Sequence, residues 1–250
     1  MYVYEMRSKN KYIAGQSEPF KISRSKIEDF VRCPRCFVID RREGISPPSG
    51  PAFTLNAAVD GLLKKEFDVH RSSQTVHPIV SELGFSMVPF QHEKIDEWRS
   101  NFKGMTYHDP STNLLISGAL DDIWQESATG ELSVVDYKAT ARAEPVEALT
   151  DADYHNSYRR QIEVYQWLLR KNGIDVSSVG YWLYVTGRSK AATFDKTLHF
   201  DCRIISYDAN DDWVSPTIVA IKNALDNPKL PSINPNCDMC LFLIDYQEIR

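Results

Sequence analysis

The order of helical and extended segments predicts a mixed α/β fold, one β-sheet flanked by helices. The first sign is a pair of apolar, β-branched runs, Leu114–Trp124 and Leu132–Ala139, separated by the polar connection Gln125-Glu-Ser-Ala-Thr-Gly-Glu131. Such a pair reads as two adjacent antiparallel strands. The second sign is that helical periodicity at Phe53–Phe67 and Ser157–Lys171 brackets the hairpin. The third is a further strand pair, Val179–Val185 with Leu198–Ser206, before a last helix at Trp213–Asn227. At 250 residues, 42% hydrophobic and 25% charged, the chain can bury one substantial core.

Each element has a local cause. Ser25-Lys-Ile-Glu28 fits a capping box, so a short helix is expected to begin there. Pro34 has no amide proton and cannot continue that helix, so a kink or restart is expected at Cys33-Pro34-Arg35-Cys36. Ser46-Pro47-Pro48-Ser49-Gly50-Pro51 reads as a loop. From Phe53 to Phe67 the apolar stripe is Leu55, Val59, Leu62, Leu63 and Phe67, with Asp60 beside it. Glu93–Phe102 is expected as another short helix ahead of the hairpin, and a polar, acidic loop is expected from Ala141 to about His155. Ser157–Lys171 is closed by Asn172-Gly173, the chemistry of a left-handed C-terminal cap. Gln161 and Tyr165, four apart on that helix, share a face. Pro228, Pro231 and Pro235 then lead into a cysteine-containing tail.

The formal net charge of -5 argues against a dominating basic surface. Basic residues gather at Arg24, Lys26, Arg32, Arg35, Arg41 and Arg42, but Glu28, Asp29 and Asp40 are interspersed, as on a solvated helix face. No apolar run approaches membrane-spanning length, and Met1–Lys9 lacks the apolar core of a signal peptide, so a soluble cytoplasmic protein is expected.

The hairpin carries the chemistry. Asp136 and Lys138 point to one face of their strand, Val135 and Tyr137 to the other. A polar pair in an apolar strand must reach solvent, find partners or bind something charged. Asp121 can meet that pair from the neighbouring strand. Phosphodiester cleavage needs an activated water, stabilisation of charge at phosphorus and help for the leaving oxygen, which bound metal ions can supply. Mg²⁺ and Mn²⁺ take oxygen ligands such as Asp121 and Asp136, and Lys138 can orient the water or stabilise the added charge. A lone Asp-x-Lys is far more often a surface ion pair, so the residues around it decide.

Gly118-x-x-Asp121, then Val134-Val-Asp136-x-Lys138 one hairpin later, then Gln161-x-x-x-Tyr165 on a helix, resembles the PD-(D/E)XK nuclease superfamily. Within it the chain is most similar to the RecB-like branch, which includes the CRISPR-associated exonucleases of the fourth Cas family and the nuclease domains of RecB and AddB. The resemblance implies a restriction-endonuclease-like mixed sheet flanked by helices, in a single nuclease domain over 1–250. Its catalytic core would span about 53–206, with a cysteine-site lobe from 23–43 and 228–250. It makes Asp121 and Asp136 ligands of Mg²⁺ or Mn²⁺, the Tyr137 carbonyl a further ligand, and Lys138 the catalytic lysine, with Gln161 and Tyr165 supporting the site or contacting DNA. The branch commonly carries Gly-x-x-x-His on the preceding helix, where this chain has Asn56-Ala-Ala-Val-Asp60. Asp60 therefore stands as a ligand in place of histidine or as a solvated helix residue.

Cys33-x-x-Cys36 and Cys237-x-x-Cys240 are pairs at chelating spacing, suited to a structural Zn²⁺ or an iron–sulfur cluster that ties the tail to the first helix. Cys202, within a predicted strand, reads as a small buried hydrophobe. Many RecB-like relatives hold a [4Fe-4S] cluster with one early and three late cysteines, and Tyr246 occupies the third late position here. The resemblance thus favours [4Fe-4S] with Cys36 as the replacement ligand; zinc is the alternative. The leading expectation is a metal-dependent DNA nuclease acting on single strands or duplex ends, with DNA and a CRISPR adaptation or repair protein as partners. A catalytically weakened nucleic-acid- or partner-binding module is the second, and a structural protein with a zinc clip the third.

Overall fold

A computed structural model describes residues 11–46, 50, 53–193 and 195–248. The segment Met1–Lys9 and most of the Ser46–Pro51 loop lie outside the described residues. The chain runs β1 (Phe20–Ser23), α1 (Arg24–Arg32), α2 (Pro34–Val38), a π-helical turn (Ile39–Glu43), α3 (Thr54–Ser73), α4 (Pro78–Glu82), β2 (Met87–Pro89), α5 (Ile95–Trp98), β3 (Met105–Asp109), β4 (Leu114–Gly118), β5 (Asp122–Glu126), β6 (Leu132–Arg142), α6 (Asp153–Lys171), β7 (Val179–Arg188), β8 (Phe200–Asp208), α7 (Val214–Asp226) and α8 (Asp238–Glu248). Contacts divide it into two compact units, 1–50 with 106–117 and 212–250, and 51–105 with 118–211.

In the first unit β1 runs parallel to β4, pairing Phe20 with Leu114 through Ser23 with Ser117, and the three-stranded order is β1-β4-β3. Its core includes Phe20, Ile22, Ile27, Phe37, Val38, Ile116, Ile218, Ile221 and Leu225, all buried. Strand β1 feeds straight into α1, so Ser23 is the N-cap and makes no side-chain cap. The expected Ser25 capping box does not form; Ser25 sits in the first turn with its hydroxyl 2.9 Å from that of Ser23. Pro34 restarts the helix at its first position, with Cys33 as N-cap. Lys26 pairs with Asp29 at 2.8 Å and Asp40 at 2.7 Å.

The second unit is built on a five-stranded sheet, β2-β5-β6-β7-β8. The β6–β7 pair is parallel and the other described pairs are antiparallel. One face packs on α3 through Leu63, Phe67, Trp124, Val135, Tyr137 and Leu183. Residues of opposite parity on β6 face α6, because side chains alternate along a strand. Helix α6 approaches the backbone closely at two glycines. A Cβ on Gly118 would stand 2.8 Å from Tyr165 Cε1, and one on Gly180 would stand 2.5 Å from Ile162 Cγ2. A mixed sheet with helices on both faces is the expected restriction-endonuclease-like arrangement; the three-stranded sheet is additional.

Several expectations need correction. Leu114–Trp124 is not one strand: β4 ends at Gly118 and belongs to the other sheet, while β5 starts at Asp122. Between them the Leu120 amide donates to the Trp98 carbonyl at 3.2 Å, which breaks the strand. Helix α3 runs past Phe67 to Ser73, but Leu55 and Leu62 point outward, 54% and 61% exposed. Its inward stripe is Leu63, Phe67 and Arg71, because Asp122 gives the arginine a buried partner. The helix expected at Glu93–Phe102 shrinks to α5, β6 continues to Arg142, and α6 begins at Asp153, inside the expected loop. The cysteine tail contains α8, so α7 is not the last helix.

Candidate functional site

Strand β6 sets the geometry. Its alternation sends Tyr137 into the α3-side core, where its hydroxyl donates to Asp122 Oδ2 at 2.7 Å. Asp136 and Lys138 go to the α6 side. Asp136 is 0% exposed. Lys138 Nζ lies 2.5 Å from its Oδ2, yet neither Asp136 oxygen accepts an aligned hydrogen bond among the described residues. Burial pushes this carboxyl up to about 7; the Asp121 charge adds to the effect and Lys138 opposes it.

Asp121 sits at the bend just before β5, and both of its oxygens are engaged. Oδ2 accepts the Tyr137 amide at 3.0 Å and Oδ1 accepts Lys64 Nζ at 2.9 Å. Burial would raise this carboxyl, but Lys64 and Lys138 outweigh it and hold it below the usual range. Lys64 also reaches Asp60 Oδ2 at 2.9 Å. Burial, and then the neighbouring Asp121 charge, raise the Asp60 carboxyl. A cavity of about 270 Å³ opens here, lined among others by Asn56, Asp60, Asp121, Tyr137, Lys138 and Tyr158. A larger recess of about 630 Å³ lies by the β5–β6 turn, at Thr129–Leu132 and Gly173–Ser177. It lacks the lysine-flanked pair of aspartates.

Helix α6 supplies the rest. Lys138 Nζ donates to Gln161 Oε1 at 3.1 Å, and Gln161 Nε2 donates to Tyr165 Oη at 3.1 Å. Tyr165 is buried against Gly118, which explains the glycine: a methyl there would displace the ring. The Lys138 ammonium also lies 4.4 Å from the Tyr158 ring centroid.

The structure thus brings Asp60, Asp121, Lys138 and Tyr137 to one cavity, with Asp136, Gln161 and Tyr165 bonded or adjacent to it. Asp60 and Asp121 offer carboxylate oxygens suited to a hard divalent cation at the cavity, and behind them the wholly buried Asp136 has the Lys138 ammonium at 2.5 Å as its countercharge. Sequence reasoning missed Lys64 and Tyr158. Spacing puts Lys64 on the Asp60 face of α3, four residues on, but only the approach of Asp121 brings it into the site.

The four cysteines converge in the first unit. Cys33 Sγ is 3.6 Å from Cys240 Sγ, and Cys36 Sγ is 3.7 Å from those of Cys237 and Cys240. All four sulfurs lie within 4.8 Å of one another, a grouping that can hold a metal. The tail is tied down around them: Arg35 donates to the Pro231 carbonyl at 2.9 Å and Asn234 to the Arg32 carbonyl at 2.9 Å. Burial raises the Cys33 and Cys36 thiols. At Cys237 burial is outweighed by the Cys240 amide and then by the Cys36 and Cys33 thiols, and the thiol is held below its ordinary value. Cys202 lies apart in sequence and role, packed against the α3-side core. The Tyr246 side chain is outside the described residues.

No helix among the described residues is long and apolar enough to cross a membrane. A search of curated proteins finds no match. A family model described as the PD-(D/E)XK nuclease superfamily matches residues 54–243, well over half the chain. The matched span holds Asp60, Asp121, Asp136, Lys138, Gln161 and Tyr165, and on that match the chain belongs to the PD-(D/E)XK nuclease superfamily.

Proposed function

We propose that this nuclease is a divalent-metal-dependent deoxyribonuclease of the RecB-like branch, similar to the CRISPR-associated exonucleases of the fourth Cas family and the RecB and AddB nuclease domains, and that it digests single strands or duplex ends. The observation that carries the reading is Asp136, wholly buried without an aligned hydrogen bond among the described residues, beside Asp121 and Lys138. We assign Asp121, Asp136, Asp60 and the Tyr137 carbonyl as metal ligands. Mg²⁺ or Mn²⁺ bound there supplies Lewis acidity toward water and charge at the phosphorus. Lys138 offers a compact ammonium that can donate to the attacking water or to a phosphate oxygen. Gln161 positions that ammonium and is itself held by Tyr165. Tyr158, beside Lys138, and Tyr154, 49% exposed one turn earlier, present ring faces on which bases of a single strand can stack. The branch resemblance supplies DNA as substrate and a CRISPR adaptation or repair protein as the partner class, and it treats 1–250 as a single nuclease domain.

End-labelled single- and double-stranded DNA with Mg²⁺ or Mn²⁺, incubated with wild type, Asp136→Ala and Lys138→Ala, tests the site. Cleavage by wild type alone is expected; equal cleavage by all three overturns it. No cleavage by wild type with either metal favours the second reading, a binding module on the same scaffold, for which Asp60 in the histidine position speaks.

For the cysteine quartet we propose a structural Zn²⁺ over the [4Fe-4S] cluster that the resemblance implies. Four thiolates around one zinc at Zn–S of about 2.3 Å form a tetrahedron with edges of roughly 3.8 Å. The sulfur separations of 3.6 and 3.7 Å match those edges. A cluster binds each cysteine to a different iron and holds the sulfurs farther apart. A colourless protein carrying one zinc per chain is expected; a brown, iron-containing protein contradicts it.

A further inference from the structure

Lys64 stands where a cation shared by two carboxylates would stand. Its Nζ is 2.9 Å from Asp60 Oδ2 and 2.9 Å from Asp121 Oδ1. Asp60 and Lys64 are one helical step of four apart on α3, so the helix itself delivers both groups to Asp121. The other Asp121 oxygen accepts the Tyr137 amide, so the lone pair that Lys64 occupies is the one facing Asp60. A divalent ion held by both Asp121 and Asp60 would compete for that oxygen. Two cations at the same oxygen repel strongly in a partly buried site, where Lys64 and Asp121 are each 21% exposed.

We infer that Lys64 is a built-in counter-cation that competes with the divalent metal for Asp121 and Asp60, so that the ammonium must leave Asp121 before the ion enters. The inference rests on the proposed metal site. Without metal, the single charge of Lys64 is shared between Asp60 and Asp121 and keeps these two carboxylates together. Asp136 is served by a different cation, Lys138, whose ammonium lies 2.5 Å from its Oδ2. For a divalent ion to be held by Asp121 and Asp60, the lysine would have to swing out on its flexible stem. The lysine sets metal affinity through Asp121 and Asp60; it is a positioning residue.

The test is Mn²⁺ binding to the full chain without nucleic acid, followed by the electron paramagnetic resonance signal of free Mn²⁺. Asp136→Asn defines the active-site component. Lys64→Met removes the charge, and Lys64→Gln removes it while keeping a hydrogen-bond donor for Asp121, in case the methionine variant fails to fold by circular dichroism. Both are expected to bind the Asp136-dependent Mn²⁺ about tenfold tighter than wild type, since a cation beside the ligand has gone. Lys64→Arg, which keeps the charge, is expected to stay within about twofold of wild type. A lysine that merely braces the fold would give weaker binding on removal. Unchanged or weaker Asp136-dependent binding in the folded Met or Gln variant overturns the competition while leaving the metal site intact. Absence of any Asp136-dependent binding, in wild type and variants alike, overturns the metal site and the competition with it.

Discussion

Asp122 and Asp136 are both fully buried carboxylates on paired strands of one sheet, and their surroundings are opposite. On the α3 side, Asp122 receives Arg71 at 2.6 Å, the Ile123 amide at 2.8 Å, Tyr137 Oη at 2.7 Å and Trp124 Nε1 at 3.3 Å. Its lone pairs are spoken for, and nothing is left to bind a ligand. On the α6 side, Asp136 has the Lys138 charge nearby but no aligned hydrogen bond among the described residues. A carboxylate held by four fixed donors serves structure, whereas one whose countercharge is a single lysine near a cavity can exchange that cation for another. Tyr137, between Asp136 and Lys138 in sequence, joins the two sides: its hydroxyl serves Asp122 and its amide serves Asp121.

Substitutions should separate the two sides. Asp136→Asn is expected to cut DNA cleavage by at least about 10³-fold while folding normally, measured by initial rates with Mg²⁺. Asp122→Ala is expected to do the reverse first: it takes from buried Arg71 its one fully buried carboxylate partner, leaving Asp68 and the Phe90 carbonyl, and strands the Tyr137 hydroxyl, at a cost of about 3–5 kcal/mol of stability in urea unfolding. If Asp122→Ala is as stable as wild type, the saturated network is not structural. Gly118→Ala drives a methyl against Tyr165 and should cost about 1–3 kcal/mol, with a fall in activity as Gln161 and Lys138 shift.

The smallest effect is a pH slope in metal-free protein. Burial raises the folded Asp136 carboxyl to about 7, above its unfolded range, so between these values the native state binds more protons than the unfolded. Its contribution to stability is present at low pH and is lost as pH rises toward about 7. Asp136→Asn should flatten that part of the stability profile; an identical slope in the variant would show that Asp136 titrates in its ordinary range.

Much of this site was legible because it lies in regular elements. Alternation on β6 separated Asp136 and Lys138 from Tyr137, and helical spacing put Gln161 and Tyr165 on one face. The close packing that requires Gly118 was not legible, since nothing local to that residue says that Tyr165 will press on it. Lys64 was hidden for a different reason. A lysine on an amphipathic helix is normally solvated, and only the tertiary approach of Asp121 makes it part of the site. The break at Ala119–Asp121 depended on a long-range amide bond to Trp98, so one apolar run concealed two strands of different sheets. The short strands β1, β2 and β3 carry too few residues for periodicity to register. The cysteine pairs announced a shared site by spacing alone, but the sulfur separations themselves exist only in three dimensions.

The most direct test of the open carboxylate as a metal site is anomalous diffraction from crystals soaked in Mn²⁺. The expected result is a peak bound by Asp136 and Asp121, with Lys64 displaced from Asp121. Manganese at saturating concentration with no peak at Asp136, the carboxylate still buried against Lys138, would contradict it.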